Sequence, residues 1–261
     1  MTSVTRPRRT ALILVLAVLA AVLAGVAASL LRPGAAPVAE QASAADPVVL
    51  PAAIHLPEEP RVLVFGDSWT YGSAATPIEM GYAYRLADLL HGETVVDGFR
   101  GSGYIRVDRP RFGERIAALD PAADYDLIIL QGSINDRLTD LAGYPAAVNA
   151  AWDQLAATYP DVPVVVLGPA PQVLPVQAAT ARIDRLLASL AAQRQWWYIS
   201  PVREGWITKD NYLDVIDTSE VGADHPSVEG HAYLAQRVAD ALAEITDPAM
   251  TVEASEERST D

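Results

Sequence analysis

Short apolar runs alternate along this chain with segments of helical periodicity, and this alternation limits its fold more than any other feature. The apolar runs predict buried strands at residues 61–65, 94–96, 126–130, 163–167 and 196–199. The periodic segments predict helices at residues 82–90, 115–119, 142–159, 178–193 and 229–245. Strands that alternate with helices indicate an α/β fold, in which helices cover both faces of a parallel sheet.

Composition limits the domain count and the classes of function. Of the 261 residues, 51% are hydrophobic, and the roughly 200 that follow an N-terminal segment are enough for one domain. The net charge of −14 argues against nucleic-acid binding, which needs a basic surface. The chain has no cysteine and four histidines, so disulfides and thiolate nucleophiles are excluded and no metal-ligand cluster is evident.

The N-terminal residues have the pattern of a membrane segment. Arg6, Arg8 and Arg9 precede an uncharged run at residues 11–31, which as a helix would cross a bilayer core of ~30 Å. A signal peptide has a shorter apolar core of about 7–15 residues, so an uncleaved signal anchor is favoured, with the later residues outside the cytoplasm. The alternative is cleavage at the small-residue site 42–44, followed by secretion.

Two more segments are predicted to lie outside the domain. Residues 32–60 are rich in Pro and Ala without sustained periodicity, which indicates an extended linker. Residues 247–261 are acidic with little apolar area to bury, which indicates a disordered tail. The domain is therefore predicted to span residues 61–246.

Gly66, Asp67 and Ser68 directly follow the first predicted strand. Ligands of α/β sheets bind beyond the carboxyl ends of the strands, so Ser68 stands where an active site is expected. A serine at this place can also be a turn residue or a helix cap. The motif by itself does not decide between these interpretations.

A serine nucleophile needs a base, and imidazole suits that task near neutral pH. His225 lies in a loop before the last predicted helix, where Pro226 favours an extended backbone that presents the ring from the loop. The other histidines fall in the linker, at the end of a helix and inside the last helix, in the order His55, His91 and His231. By elimination, His225 is the best candidate base.

Acyl transfer also needs hydrogen-bond donors aimed at the developing oxyanion. Asn135 follows the third predicted strand, so it should reach the same sheet edge as Ser68. Residues 98–103 follow the second strand and include glycines, which let the backbone approach a ligand closely. Asn135 as a helix cap and the glycines as a simple turn are the alternatives.

Four ordered blocks of this chain together resemble the SGNH (GDSL-type) hydrolase family. The blocks are Gly66-Asp67-Ser68, Gly101, Asn135-Asp136 and His225-Pro226. Gly98 and Gly103 are alternatives for the glycine block, and Ser133 stands where the family usually has Gly. The resemblance covers nearly all of residues 61–245 and implies a three-layer α/β/α, flavodoxin-like fold.

The resemblance also implies a mechanism. Ser68 attacks an ester carbonyl, His225 takes its proton, and the amides of Ser68 and Gly101 with the Asn135 side chain hold the oxyanion, without metal or organic cofactor. The expected substrate is a short-chain acyl ester, either a small molecule or a cell-envelope polysaccharide. A carbohydrate-binding or scaffold domain with little turnover, and an acyltransferase that uses the same residues, are the alternatives.

The acid that orients His225 is the open part of the predicted site. The family usually has Asp three residues before its histidine, where this chain has Gly222. Asp224 is the preferred candidate, because Gly222 permits a turn that would bring its carboxylate to the ring. The alternatives are Asp217, Glu220 or a backbone carbonyl, which would leave a Ser–His dyad.

The membrane assignment is testable by fractionation of cells that express the full chain. We expect the protein to stay in the membrane fraction after a high-salt wash, because residues 11–31 span the bilayer. Protease added outside the cells should reach the domain. A mature N-terminus near Ala45 in the medium would instead establish cleavage and secretion.

Overall fold

A computed structural model describes residues 50–246, and a five-stranded parallel sheet forms the centre of this part of the chain. The strands are β1 (Arg61–Gly66), β2 (Glu93–Gly98), β3 (Leu127–Gln131), β4 (Val164–Leu167) and β5 (Trp197–Ile199). Their order is β2-β1-β3-β4-β5. The chain leaves β1 in one direction to form β2 and then returns past β1 to form β3. The carboxyl ends of β1 and β3 therefore flank the switch point where α/β proteins bind ligands.

Helices and one small ribbon connect the strands. The helices are α1 (Ser68–Tyr71), α2 (Tyr82–Leu89), α3 (Phe112–Ile116), α4 (Tyr144–Thr158), α5 (Ala178–Gln193), α6 (Tyr212–Val215) and α7 (Val228–Ile245). Short 3-10 turns occur at Ile78–Met80 and Ile134–Leu138. An antiparallel ribbon of β6 (Ile216–Asp217) and β7 (His225–Pro226) leads into α7.

Alternate residues of the strands build two separate cores. In β1, Val62 and Val64 face a core that includes α2 and α7, whereas Leu63 and Phe65 face a core that includes α3, α4 and α5. All four side chains are fully buried. This period of two, on strands that are apolar on both faces, is the reason that helices must cover both sides of the sheet. The predicted three-layer α/β/α fold is confirmed.

The predicted strands and helices are all present, with small shifts at their ends. The largest is in α3, which begins earlier than predicted, at Phe112. Phe112 is fully buried, and the Glu114 carboxylate accepts a hydrogen bond of 3.0 Å from the Arg111 N–H. That contact satisfies an amide that would otherwise be unpaired at the helix start.

The domain begins earlier than the sequence predicted. Ile54 is buried, and its N–H donates to the Ile245 carbonyl over 3.0 Å. The Ala52 carbonyl accepts a 2.8 Å hydrogen bond from the Trp197 indole. Residues 52–54 of the predicted linker therefore pack on the domain, because one buried isoleucine anchors a segment whose composition is otherwise typical of a spacer.

The other predicted segments outside the domain are not part of the described structure. The proposed anchor at residues 11–31, the remainder of the linker and the acidic tail all lie outside the described residues. No helix between residues 50 and 246 is long and apolar enough to cross a bilayer.

The packing of the early segment can be tested by two truncations of side chains. Ile54→Ala should lower the free energy of unfolding by about 2–5 kcal/mol, because a buried aliphatic side chain is lost and leaves a cavity. Leu50→Ala is the control, because Leu50 is 66% exposed and such changes cost about 0.5 kcal/mol or less. Urea unfolding measures both. Equal effects of the two variants would mean that the segment is only a linker.

Candidate active site

Ser68 is the first residue of α1 and lies directly beyond the carboxyl end of β1. The turn is held by Asp67, whose side chain accepts a 3.0 Å hydrogen bond from the Trp69 N–H. Any side chain at Gly98 would collide with the backbone of Tyr71, so glycine in β2 is what lets α1 pack this closely. The Ser68 N–H is at the first helical position, where no carbonyl of the same helix can accept it.

His225 reaches Ser68 from the opposite end of the chain. Its Nε2 lies 2.9 Å from the Ser68 Oγ. His225 belongs to the β6–β7 ribbon, in which it pairs with Asp217. Ser227 caps the following helix α7 by accepting a 2.9 Å hydrogen bond from the Gly230 N–H. The ribbon and the cap together fix the backbone that carries the imidazole.

The other ring nitrogen of His225 faces a backbone carbonyl. Nδ1 lies 3.0 Å from the Gly222 oxygen, which also accepts the His225 N–H. Because a carbonyl can only accept, the proton of a neutral ring belongs on Nδ1. Nε2 then keeps a lone pair that faces the serine hydroxyl, which is the tautomer a general base requires.

The structure does not place the carboxylate of Asp224, the preferred acid, against the imidazole. Within residues 50–246, no carboxylate is hydrogen-bonded to the His225 ring. Ala223 and Asp224 adopt left-handed conformations with φ of 48° and 59°, and the Asp224 N–H donates to the Asp217 carbonyl. This turn brings the Gly222 carbonyl to the imidazole in place of the Asp224 side chain.

The two other candidate acids do not replace Asp224. The Asp217 carboxylate accepts a 2.9 Å hydrogen bond from the Ser219 N–H, and the hydrogen bonds from Ser219 lower the pKa of Asp217. Glu220 is exposed. Any side chain at position 222 would collide with the Asp217 carboxyl group, so this loop has no room for the family's usual acid.

Gly101 and Asn135 line the same cavity as Ser68 and His225. The Asn135 Nδ2 donates to the Ser102 carbonyl over 3.0 Å, which orients the amide and leaves its second hydrogen available. Gly101 has a φ of 77°, a conformation that favours glycine. Among the described residues, nothing accepts a hydrogen bond from its N–H. Of the three candidate glycines, Gly101 is the one in the wall of the cavity.

The cavity has a volume of about 300 Å³. Its wall also contains Arg100 and Gln172, two residues that the sequence did not single out. Gln172 is held by Arg137, whose Nη2 donates to its Oε1 over 2.6 Å. Arg100 follows the carboxyl end of β2, and Gln172 follows that of β4. Because ligands of α/β sheets bind beyond these strand ends, the position of both residues in the sequence could have marked them as candidate site residues.

Burial shifts the pKa values of three groups around the site. Desolvation lowers the pKa of His225, so the neutral ring persists to more acidic pH than a free imidazole. Burial raises the pKa of Asp67 to about 6 and also raises the pKa of Asp136. The Asp136 carboxylate accepts from the Tyr104 and Ile105 amides, so it ties the Asn135 turn to the loop after β2.

The remaining histidines are separate from the site. His231 is fully buried in α7, where its Nδ1 accepts from the Tyr82 N–H and its Nε2 donates to the Ser73 carbonyl. It therefore joins α7 to α2. His55 and His91 are exposed. Residues 50–246 contain no cluster of three or more His, Asp or Glu side chains suited to a metal ion.

A strand-to-helix serine that contacts a histidine before the last helix, on this sheet order, defines a hydrolase of the GDSL type. The sequence matches the model of the GDSL-like lipase/acylhydrolase family over residues 64–233, and the chain belongs to that family. Membership of this lipase/acylhydrolase family makes it a carboxylic ester hydrolase. A comparison with curated proteins gave no match.

Solved structures share this fold at low sequence identity. An aryl esterase from M. smegmatis is 19% identical, with a TM-score of 0.53 over 71% of this chain and 99% of that one. A carbohydrate acetylesterase family member from Sinorhizobium meliloti is 16% identical, with a TM-score of 0.53 over 71% and 98%. A family two carbohydrate esterase from Clostridium thermocellum is 15% identical, with a TM-score of 0.56 over 71% and 64%.

The orientation of His225 by a carbonyl can be tested with isosteric substitutions. Asp224→Asn, Asp217→Asn and Glu220→Gln should each keep ester turnover within about threefold of the parent, whereas neutralising a true triad acid costs about 10⁴. His225→Asn is the matched control and should be inactive. A loss of a hundredfold or more in one acid variant would restore that residue as the acid.

Proposed function

We propose that this protein hydrolyses short-chain O-acyl esters through an acyl-enzyme on Ser68. The observation that carries the proposal is the 2.9 Å contact between the His225 Nε2 and the Ser68 Oγ. In the first step, His225 takes the hydroxyl proton while Oγ attacks the ester carbonyl carbon. The Gly222 carbonyl, which faces Nδ1, stabilises the imidazolium that forms.

The negative charge on the carbonyl oxygen is held by donors in the cavity wall. These donors are the amides of Ser68 and Gly101 and the free hydrogen on the Asn135 Nδ2. Collapse of the tetrahedral intermediate breaks the bond to the alcohol, which leaves with the proton from His225. Water then adds to the acyl-enzyme by the same steps and releases the carboxylic acid.

The walls of the cavity support a short acyl group. Ser73, Ala74 and Gln172 are small or polar, and the volume of about 300 Å³ is at the small end for ligand pockets. Structural neighbours that are described as carbohydrate esterases support a sugar as the alcohol. An acetylated carbohydrate is therefore the substrate that we propose.

We also propose that this reaction takes place outside the cytoplasm. The support is the arginine-flanked apolar run at residues 11–31, which is typical of a signal anchor. A domain held at the outer face of the membrane would meet polysaccharides of the cell envelope.

The nucleophile can be tested with a fluorophosphonate probe and an ester assay. Ser68→Ala should abolish labelling and lower turnover by about 10⁶, while its thermal unfolding midpoint stays near that of the parent. Ser189→Ala, an exposed serine of α5, is the control and should label normally. Absence of labelling in the folded parent would favour a binding domain, and activity above about a tenth in Ser68→Ala would exclude this nucleophile.

The dependence of kcat/KM on pH tests the protonation of His225. The base acts when neutral, so kcat/KM should rise with pH through the pKa of His225 in the free enzyme. Because burial lowers that pKa, we expect the acid limb below the usual imidazole value of ~6.5. An acid limb at or above that value, on an ester without titratable groups, would contradict this environment for the ring.

A further inference from the structure

The wall of the active-site cavity carries a positive charge, although the net charge of the chain is negative. The chain has a net charge of −14. Among the described residues, those that line this cavity nevertheless include one arginine, Arg100, and no carboxylate. A cation without an acidic partner beside a reacting serine favours substrates of negative charge.

The Arg100 guanidinium is held in place without being neutralised. Its Cζ lies 4.5 Å from the centroid of the Tyr71 ring, and the side chain is exposed. Within residues 50–246, no hydrogen bond or ion pair engages it. By contrast, Arg106 pairs with Asp108 and Arg115 pairs with Asp97, each over 2.6 Å. Stacking on Tyr71 restricts Arg100 and leaves its donors available.

The position of Arg100 next to the oxyanion donors ties it to the reaction. It directly precedes Gly101, so one loop carries both the cation and the candidate oxyanion amide. Arg100 also contributes to lowering the pKa of His225, after the larger effect of burial, and the charge of Asp224 outside the cavity wall acts in the opposite direction.

We propose that Arg100 is a specificity residue that binds an anionic oxygen group, a carboxylate or a phosphate, of the ester substrate. This inference rests on the proposed esterase function and narrows it: the substrate is an acylated acidic sugar rather than a neutral one. The planar guanidinium pairs with two oxygens of such a group at once. The ester of the same molecule then lies at Ser68.

Three acetyl esters that differ only in the group at C6 of the sugar, and hence in charge, test the proposal. They are a methyl glucoside with one O-acetyl group, the glucuronic acid analogue and the 6-phosphate analogue. We expect kcat/KM to be about tenfold higher for a charged ester than for the neutral one, as for one hydrogen bond to a charged group. The preference should shrink as salt is raised, because the cation is exposed to solvent. The anion that is preferred identifies the group.

Variants of Arg100 separate specificity from folding. Arg100→Gln should reduce the ratio of charged to neutral kcat/KM to about one, and Arg100→Lys, which keeps the charge, should retain part of it. Arg185→Gln removes an equal charge from an exposed site on α5 outside the cavity, so the ratio should persist. Thermal unfolding checks that each variant is folded.

Two kinds of failure are distinguishable. Equal kcat/KM for charged and neutral esters, or a preference that persists in Arg100→Gln, overturns the role of Arg100 and leaves the esterase proposal standing. Inactivity of the parent on all three esters and on 4-nitrophenyl acetate overturns the esterase proposal itself, and the substrate inference falls with it.

Discussion

The contact between Ser68 and His225 depends on the whole domain, because it joins residues that are 157 positions apart in the sequence. Ser68 is placed by the first strand, and His225 by the ribbon before the last helix. They meet only when α7 packs on α2 beside the sheet. The buried His231 helps to fix that packing, because it is hydrogen-bonded both to α2 and to the loop after α1. A second histidine thus supports the position of the first without touching the serine.

Sheet topology explains why the other site residues converge. β1 and β3 are neighbours in the sheet although β2 lies between them in sequence. The loop that follows β3 and carries Asn135 therefore lies at the same sheet edge as Ser68. β2 borders β1 on its other side and brings Gly101 to the same edge. The oxyanion donors therefore come from both sides of the serine. The glycines at 98 and 101 serve different purposes there, since one admits α1 and the other adopts a left-handed turn.

Arg100 and Gly222 determine the electrostatic surroundings of the reacting groups. Gly222 supplies a carbonyl where related loops supply an acid, so the imidazole is oriented by a neutral dipole. Among residues 50–246, no carboxylate is hydrogen-bonded to the imidazole, although the charge of Asp224 acts on it, and an exposed arginine lies in the same cavity wall. The acidic substrate that we propose would carry a negative charge near both positive groups, which would favour it during catalysis as well as in binding.

The sequence by itself determined the layered α/β fold and the candidates Ser68, Asn135 and His225, because strand and helix periods and strand-end positions are local properties of the chain. It did not reveal the carbonyl partner of His225, since two left-handed residues, Ala223 and Asp224, turn the loop in a way that composition does not signal. It also did not reveal the buried Ile54 or that Arg100 has no acidic partner within residues 50–246. Those depend on which surfaces meet and which charges find partners, and only the tertiary structure decides that.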